Sequence, residues 1–201
     1  MSALPIALHG EKVRALVIGG GDVGTRKALA LLDAGAHVRV VAPEVSAQLA
    51  KAAAGNRLVV RREPYGPDAF SDETLVFAAT SSREVNSRVA ADARARGRLV
   101  NVVDSPEEGD FHSMALHRSG ELTIAVSTSG VPTAAVRIRD TLATRFDARY
   151  ERALTTLRGL RLKLRSGAGD PWNRATTDLI GEDFCESVES GSLPDKVVAW
   201  R

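Results

Sequence analysis

From Val13 to Asp104, short runs of β-branched and other apolar residues alternate with longer alanine-rich stretches whose apolar positions recur every three or four residues. The runs are Val13–Gly19, Ala36–Ala42, Arg57–Arg62, Thr74–Thr80 and Leu99–Asp104. Runs of this length read as strands, and strands alternating with helical patterns predict βαβ units feeding one parallel sheet. Between the first two, Arg26–Ala34 places Ala28, Leu29, Leu31 and Leu32 on a face that can cover the sheet. Gly35 stands where a glycine commonly ends a helix. Glu84–Gly97 repeats the plan, with Val85, Val89 and Ala93 on one face and Gly97 at its stop.

After Asp104 the rhythm changes. Ser105–Asp110 is turn chemistry, and Phe111–His117 and Glu121–Ser127 flank Arg118–Gly120 as two strands of a hairpin. Val131–Arg145 reads as a helix, with Pro132 in its first turn and Ala135, Ile138 and Leu142 at helical spacing. A strand pair and one helix are too small for a core of their own, so this piece is expected to dimerise with a second copy of the chain. In the last fifty residues, Leu154, Leu157, Leu160 and Leu164 predict a helix over Ala148–Arg165, with Ser166–Asp170 as a linker. Glu151–Arg165 carries five basic residues and one acidic, whereas Asp178–Glu189 carries five acidic and none basic. The second stretch is expected to form a short helix in contact with the first. The predicted organisation is a dinucleotide-binding domain over 1–110, a dimerisation module over 111–147 and a helical region over 148–201. The fold class is therefore α/β, a Rossmann-type parallel sheet with a small α+β module and C-terminal helices.

Composition removes several function classes. No window of the 201 residues approaches the eighteen apolar positions of a membrane-spanning helix, and 44% hydrophobic residues are enough for a core. Twenty-seven Lys and Arg against twenty-five Asp and Glu supply no strong pull toward nucleic acid or anionic lipid. Cys185 is the single cysteine, which excludes an intrachain disulfide and a cysteine zinc cluster. The first residues lack a basic leader, so a cytoplasmic protein is expected.

The strongest chemical signal is Gly19-Gly20-Gly21-Asp22-Val23-Gly24, a GxGxxG directly after a predicted strand and opening a predicted helix. Gly19 allows the tight turn, Gly21 lets main-chain N–H groups approach a pyrophosphate, and Gly24 lets helix and strand pack closely. The acidic residue expected about twenty positions on, for the adenosine ribose, is met by Glu44 after Pro43, just past the second strand. No Lys or Arg lies between Ala42 and Ala50 to pair with a 2′-phosphate, so NAD is preferred over NADP. Thr80-Ser81-Ser82, ending the fourth strand, is read either as a helix cap or as a ligand contact at the same carboxyl edge. Asp104, ending the fifth strand, is either a turn initiator ahead of Ser105-Pro106 or a general base beside a nicotinamide, and period two sends it and Asn101 to opposite faces. The same alternation separates His112 from His117 and argues against a paired metal site on that strand. Ser127, Thr128, Ser129 and Gly130 lead into a helix bearing Arg137 and Arg139. They form either a cap with a solvated basic face or a site for a substrate with carboxylates.

Taken in order, the GGGDVGTRK turn, the VVAPE after the second strand, NVVD on the fifth and LTIAVSTSG leading into an arginine-bearing helix resemble one family. It is the precorrin-2 dehydrogenase/sirohydrochlorin ferrochelatase family of siroheme biosynthesis, which includes the N-terminal half of siroheme synthase. The likeness runs from about Leu4 to Arg145, extends to a C-terminal helical portion, and matches the stand-alone form. Phe111–Ala115 departs from the proline-containing stretch of relatives. The resemblance implies a homodimer that oxidises precorrin-2 to sirohydrochlorin with NAD+ and, in many members, then inserts Fe2+. It assigns Asp22, Val23, Pro43 and Glu44 to the cofactor and Asp104 to the chemistry, and sets Thr128 where several members have serine; no metal ligand is named. Two other readings share the fold: a dehydrogenase served by a separate chelatase, and a non-catalytic NAD-sensing regulatory module, which would leave Asp104 and the Ser127–Gly130 loop without a task.

Overall fold

A computed structural model describes residues 3–54, 57–165 and 171–200. The chain divides into two compact units, Leu4–Ser113 and the residues from Met114 onward.

The first unit holds β1 (Arg14–Ile18), α1 (Asp22–Asp33), β2 (His37–Val41), α2 (Ala47–Ala52), β3 (Leu58–Arg61), β4 (Leu75–Ala78), α3 (Arg83–Ala95) and β5 (Leu99–Val102). The sheet order is β3-β2-β1-β4-β5 and every pairing is parallel. A central strand covered on both faces must be apolar throughout, which is why β1 runs Ala15-Leu16-Val17-Ile18 without alternation. Ala15 and Val17 enter one core layer with Ala28, Val40, Leu49 and Phe77, while Leu16 and Ile18 enter the other with Val76, Val89, Ala93 and Val100. The helix α2 goes unsignalled in the sequence because it is six residues long. It forms because the Ser46 hydroxyl accepts the Leu49 N–H at 3.1 Å and Leu49 is fully buried.

The predicted strand Phe111–His117 is displaced. Residues 111–113 belong to the first unit, where Phe111 packs edge-on against Phe77 at 5.3 Å and its carbonyl accepts from Asn101 Nδ2 at 2.9 Å. Strand β6 spans Ala115–Ser119 and pairs antiparallel with β7 (Leu122–Val126), Ser119 opposite Leu122. The hairpin loop is thus the two residues Gly120-Glu121, with Gly120 at φ +56°, and Arg118 lies within β6 opposite Thr123. His112 lies outside β6, so strand alternation does not govern its relation to His117.

The second unit continues with α4 (Pro132–Arg145), α5 (Ala148–Arg165), α6 (Pro171–Leu179), α7 (Phe184–Ser190) and α8 (Leu193–Val198). Tyr150, Ala153, Leu157 and Leu160 of α5 pack with Ala175, Leu179, Val188, Leu193 and Val197. The expected single acidic helix over Asp178–Glu189 is two helices, interrupted at 180–183 around Gly181, and the linker Ser166–Asp170 lies outside the described residues. The acidic stretch does meet the preceding helix. However, Glu189 is held by Arg145, by Arg149 through its carbonyl and by the Tyr150 hydroxyl, whereas Arg158 pairs with Glu121.

Candidate active site

The glycine turn after β1 is tightly built. Gly19 adopts φ +119°, open to glycine and strained for any other residue, and a Cβ there would overlap the Ala79 carbonyl. A Cβ at Gly24 would overlap the Gly19 carbonyl oxygen, so this glycine is what lets α1 lie against the end of β1. Gly20, an unspecified position in the motif, is equally constrained: the turn after β2 closes on it, with the Glu44 carbonyl where a Cβ would stand and Ser46 N–H donating to the Gly20 carbonyl at 3.1 Å. Pro43 and Glu44, both exposed, are thereby fastened beside the turn.

Gly21 is the exception. It precedes the first turn of α1 in an extended conformation, and a Cβ there would meet nothing within 4 Å. No side chain caps the helix, so the main-chain N–H groups of its first turn face an open surface with exposed Asp22 beside half-buried Val23. Those features suit a pyrophosphate. The Thr25 hydroxyl, 2.9 Å from that of Ser46, ties α1 to α2 below the turn, and a groove of about 620 Å³ runs between the two helices along Asp22, Arg26, Leu29 and Gln48. Lys27, also in the motif, donates to Ser113 Oγ at 2.9 Å and lies 5.9 Å above the Phe77 ring; burial, aided by Arg26, holds its pKa below the usual lysine range.

The carboxyl ends of β4 and β5 are joined by a residue that sequence reasoning missed. Asn86, on α3 and fully buried, accepts on Oδ1 from the Thr80 N–H at 3.0 Å and the Thr80 hydroxyl at 2.8 Å. Its Nδ2 donates to the Thr80 carbonyl at 3.1 Å and to Asp104 Oδ1 at 3.0 Å. The amide thus pairs with Thr80 as a neighbouring strand would. Ser82, not Thr80, caps α3 by accepting the Val85 N–H, and Thr80 Oγ1 accepts the Ser82 N–H. The exposed Asp104 carboxylate also lies 3.6 Å from Arg83, whose guanidinium bridges to Glu108. Beside it, the Ser105 hydroxyl holds the Glu107 carboxyl below the ordinary range. Asn101 points toward Phe111, whose carbonyl accepts from its Nδ2, while Asp104 lies in the turn past the end of β5 at Val102, so strand alternation does not govern the relation between the two.

In the second unit, the loop Ser127–Gly130 turns sharply. Ser129 is the one described non-glycine residue at positive φ, +38°, and Gly130 follows at +112°. The Thr128 hydroxyl donates to the Val131 carbonyl, so it does not cap the N–H groups of α4. Arg139 is tied to Asp140 and to the Leu116 carbonyl, while Arg137 is exposed. His117 Nε2 lies 2.6 Å from the Phe146 carbonyl. Among the described residues no group of three His, Cys, Asp or Glu side chains gathers as a metal site, and no helix is long and apolar enough to cross a membrane.

Comparison with known proteins places these features. The family model NAD_binding_7, described as NAD(P)-binding, matches residues 6–115. Proteins named siroheme synthase share 43% identity over 98% of the chain in Chromobacterium violaceum and 35% over 98% in Saccharophagus degradans. The chain spans about two fifths of their length, 41% and 42% respectively. The solved structure of SirC, a precorrin-2 dehydrogenase, superposes with a TM-score of 0.82 at 25% identity and covers 98% of both chains.

Proposed function

Because this chain belongs to the NAD(P)-binding precorrin-2 dehydrogenase/siroheme synthase family, we propose that it oxidises precorrin-2 to sirohydrochlorin with NAD+. The observation that carries the reading is one edge of one sheet. The open helix N-terminus at Gly21 and the carboxylate of Asp104 follow the carboxyl ends of β1 and β5, the two strands that flank β4 in the parallel sheet, at the edge where open α/β sheets hold their ligands. Gly19, Gly21 and Gly24 shape the cradle, Asp22 and Val23 present the first N–H groups, Pro43 and Glu44 stand where the ribose belongs, and Thr80 floors the nicotinamide end. The dinucleotide supplies a hydride acceptor.

Asp104 takes the proton that leaves the macrocycle as the hydride departs, and its exposure lets substrate reach it. Ser127, Thr128, Ser129 and Gly130, with Arg137 and Arg139, are assigned to the substrate's carboxylates through N–H, hydroxyl and guanidinium donors. The same Asp104 carboxylate would take up pyrrole protons if Fe2+ is then inserted as a second substrate. Leu116 on the hairpin, Val131 just before α4, and Val136 and Ile138 on α4, each more than 40% exposed, support dimerisation through this module.

Asp104→Asn tests the assignment. It is expected to abolish NADH formation from precorrin-2 and leave NAD+ affinity within about threefold, because the carboxylate serves chemistry and not cofactor grip. A variant that turns over normally removes the assignment. Adding Fe2+ to sirohydrochlorin and watching for the metallated spectrum tests the second step, and sedimentation tests the dimer.

A further inference from the structure

The Asp104 carboxylate stands at the surface on a strand end, where a short side chain samples more than one rotamer unless something holds it. The structure supplies a holder from the interior. All four hydrogen bonds of the Asn86 amide are made, and three of them, to Thr80, leave the amide one orientation: Oδ1 must face the Thr80 N–H, so Nδ2 must face Asp104. Both contacts of the carboxylate, Asn86 at 3.0 Å and Arg83 at 3.6 Å, fall on Oδ1.

We propose that Asn86 is the positioning residue of the proton-transfer step: its Nδ2–H fixes the Asp104 carboxylate and leaves Oδ2 as the oxygen that receives the substrate's proton. This rests on Asp104 as the proton acceptor. The step balances, since the hydride passes to NAD+ and the accompanying proton forms the Oδ2–H bond. The arrangement also couples the two halves of the site. Thr80, under the cofactor end, and Asp104, at the substrate end, hang from one amide, so a shift of one is felt by the other. A serine or hydrophobic residue at 86 could still pack α3 against the sheet but could not span both.

The experiment uses the full-length protein and three variants. Asn86→Ser is expected to lower kcat about ten- to hundredfold, the cost of a misplaced catalytic group, and, because Thr80 loses its tie as well, to raise the KM for NAD+ by a smaller factor. Asn86→Asp keeps the shape and sets a second carboxyl against Asp104, whose other charged neighbours are Arg83 and, through it, Glu108. It is expected to move the acidic limb of the kcat profile to higher pH, as paired carboxyls do. Because Asn86 is buried and either variant could unfold the protein, the wild type carries a third reading. The Asn86 side-chain amide resonances of the wild type are expected to shift when Asp104 is replaced in Asp104→Asn, because Nδ2 donates to that carboxylate. Wild-type kcat in Asn86→Ser, or Asn86 amide resonances unmoved by Asp104→Asn, overturns the proposal while leaving Asp104's role intact. Wild-type turnover by Asp104→Asn overturns the reading beneath it instead.

Discussion

Gly21 offers a sharp test because folding and cofactor binding make opposite demands on it. Its φ of −74° and ψ of −170° are open to any L-residue, and a Cβ there meets nothing within 4 Å, so Gly21→Asp should fold with a thermal midpoint close to the wild type. A pyrophosphate seated on the α1 N–H groups would have the new carboxylate about 4 Å away. Like charges at that separation repel by about 4 kcal/mol at an effective dielectric of 20, and salt reduces this to about half. Even about 2 kcal/mol corresponds to a loss of roughly thirtyfold in NAD+ affinity. Isothermal titration with NAD+, beside a thermal melt of the same sample, measures both quantities. A well-folded Gly21→Asp that binds NAD+ within about threefold of the wild type refutes the placement of the pyrophosphate. Gly21→Ala, lacking the charge, should lose much less.

Gly24→Ala should behave in the reverse sense: its Cβ overlaps the Gly19 carbonyl, so α1 must move, and denaturant melts are expected to show a loss of about 1–3 kcal/mol. Near-wild-type stability there would mean that the turn yields more readily than its contacts imply. In the second unit, the Glu189 carboxyl is held below its ordinary range by Arg145 and the Tyr150 hydroxyl. A lowered folded-state value contributes stability above the unfolded carboxyl's value, about pH 4, and loses it as pH falls through the folded one. Glu189→Gln should therefore lower stability at neutral pH and flatten its decline on acidification; an unchanged acid profile would remove the network from the stability of α5 and α7.

Much of the first unit is legible in the chain because long-range geometry and local pattern agree there. β1 is continuously apolar because it is covered on both faces, and Gly19, Gly21 and Gly24 fall on the positions where the turn needs a positive φ, an open surface and a close approach. Gly20 escaped because its constraint comes from the turn after β2, distant in sequence. Asn86 escaped for a similar reason: a polar residue within a helix ordinarily faces water, and only the fold shows that it faces the ends of β4 and β5. The strand expected from Phe111 failed where an aromatic was needed to close the core over Phe77 rather than to pair with a neighbour. Past Arg165, helices of six to nine residues carry too few turns for periodicity to mark their ends, and Gly181 divides a stretch that charge alone would join.

The most direct measurement is an anaerobic incubation of the purified chain with precorrin-2 and NAD+, recording NADH and macrocycle absorbance together. The expected result is one NADH formed for each sirohydrochlorin, with no oxidation when NAD+ is withheld. NAD+ bound tightly while precorrin-2 stays unchanged, or sirohydrochlorin formed without NADH, would contradict the account.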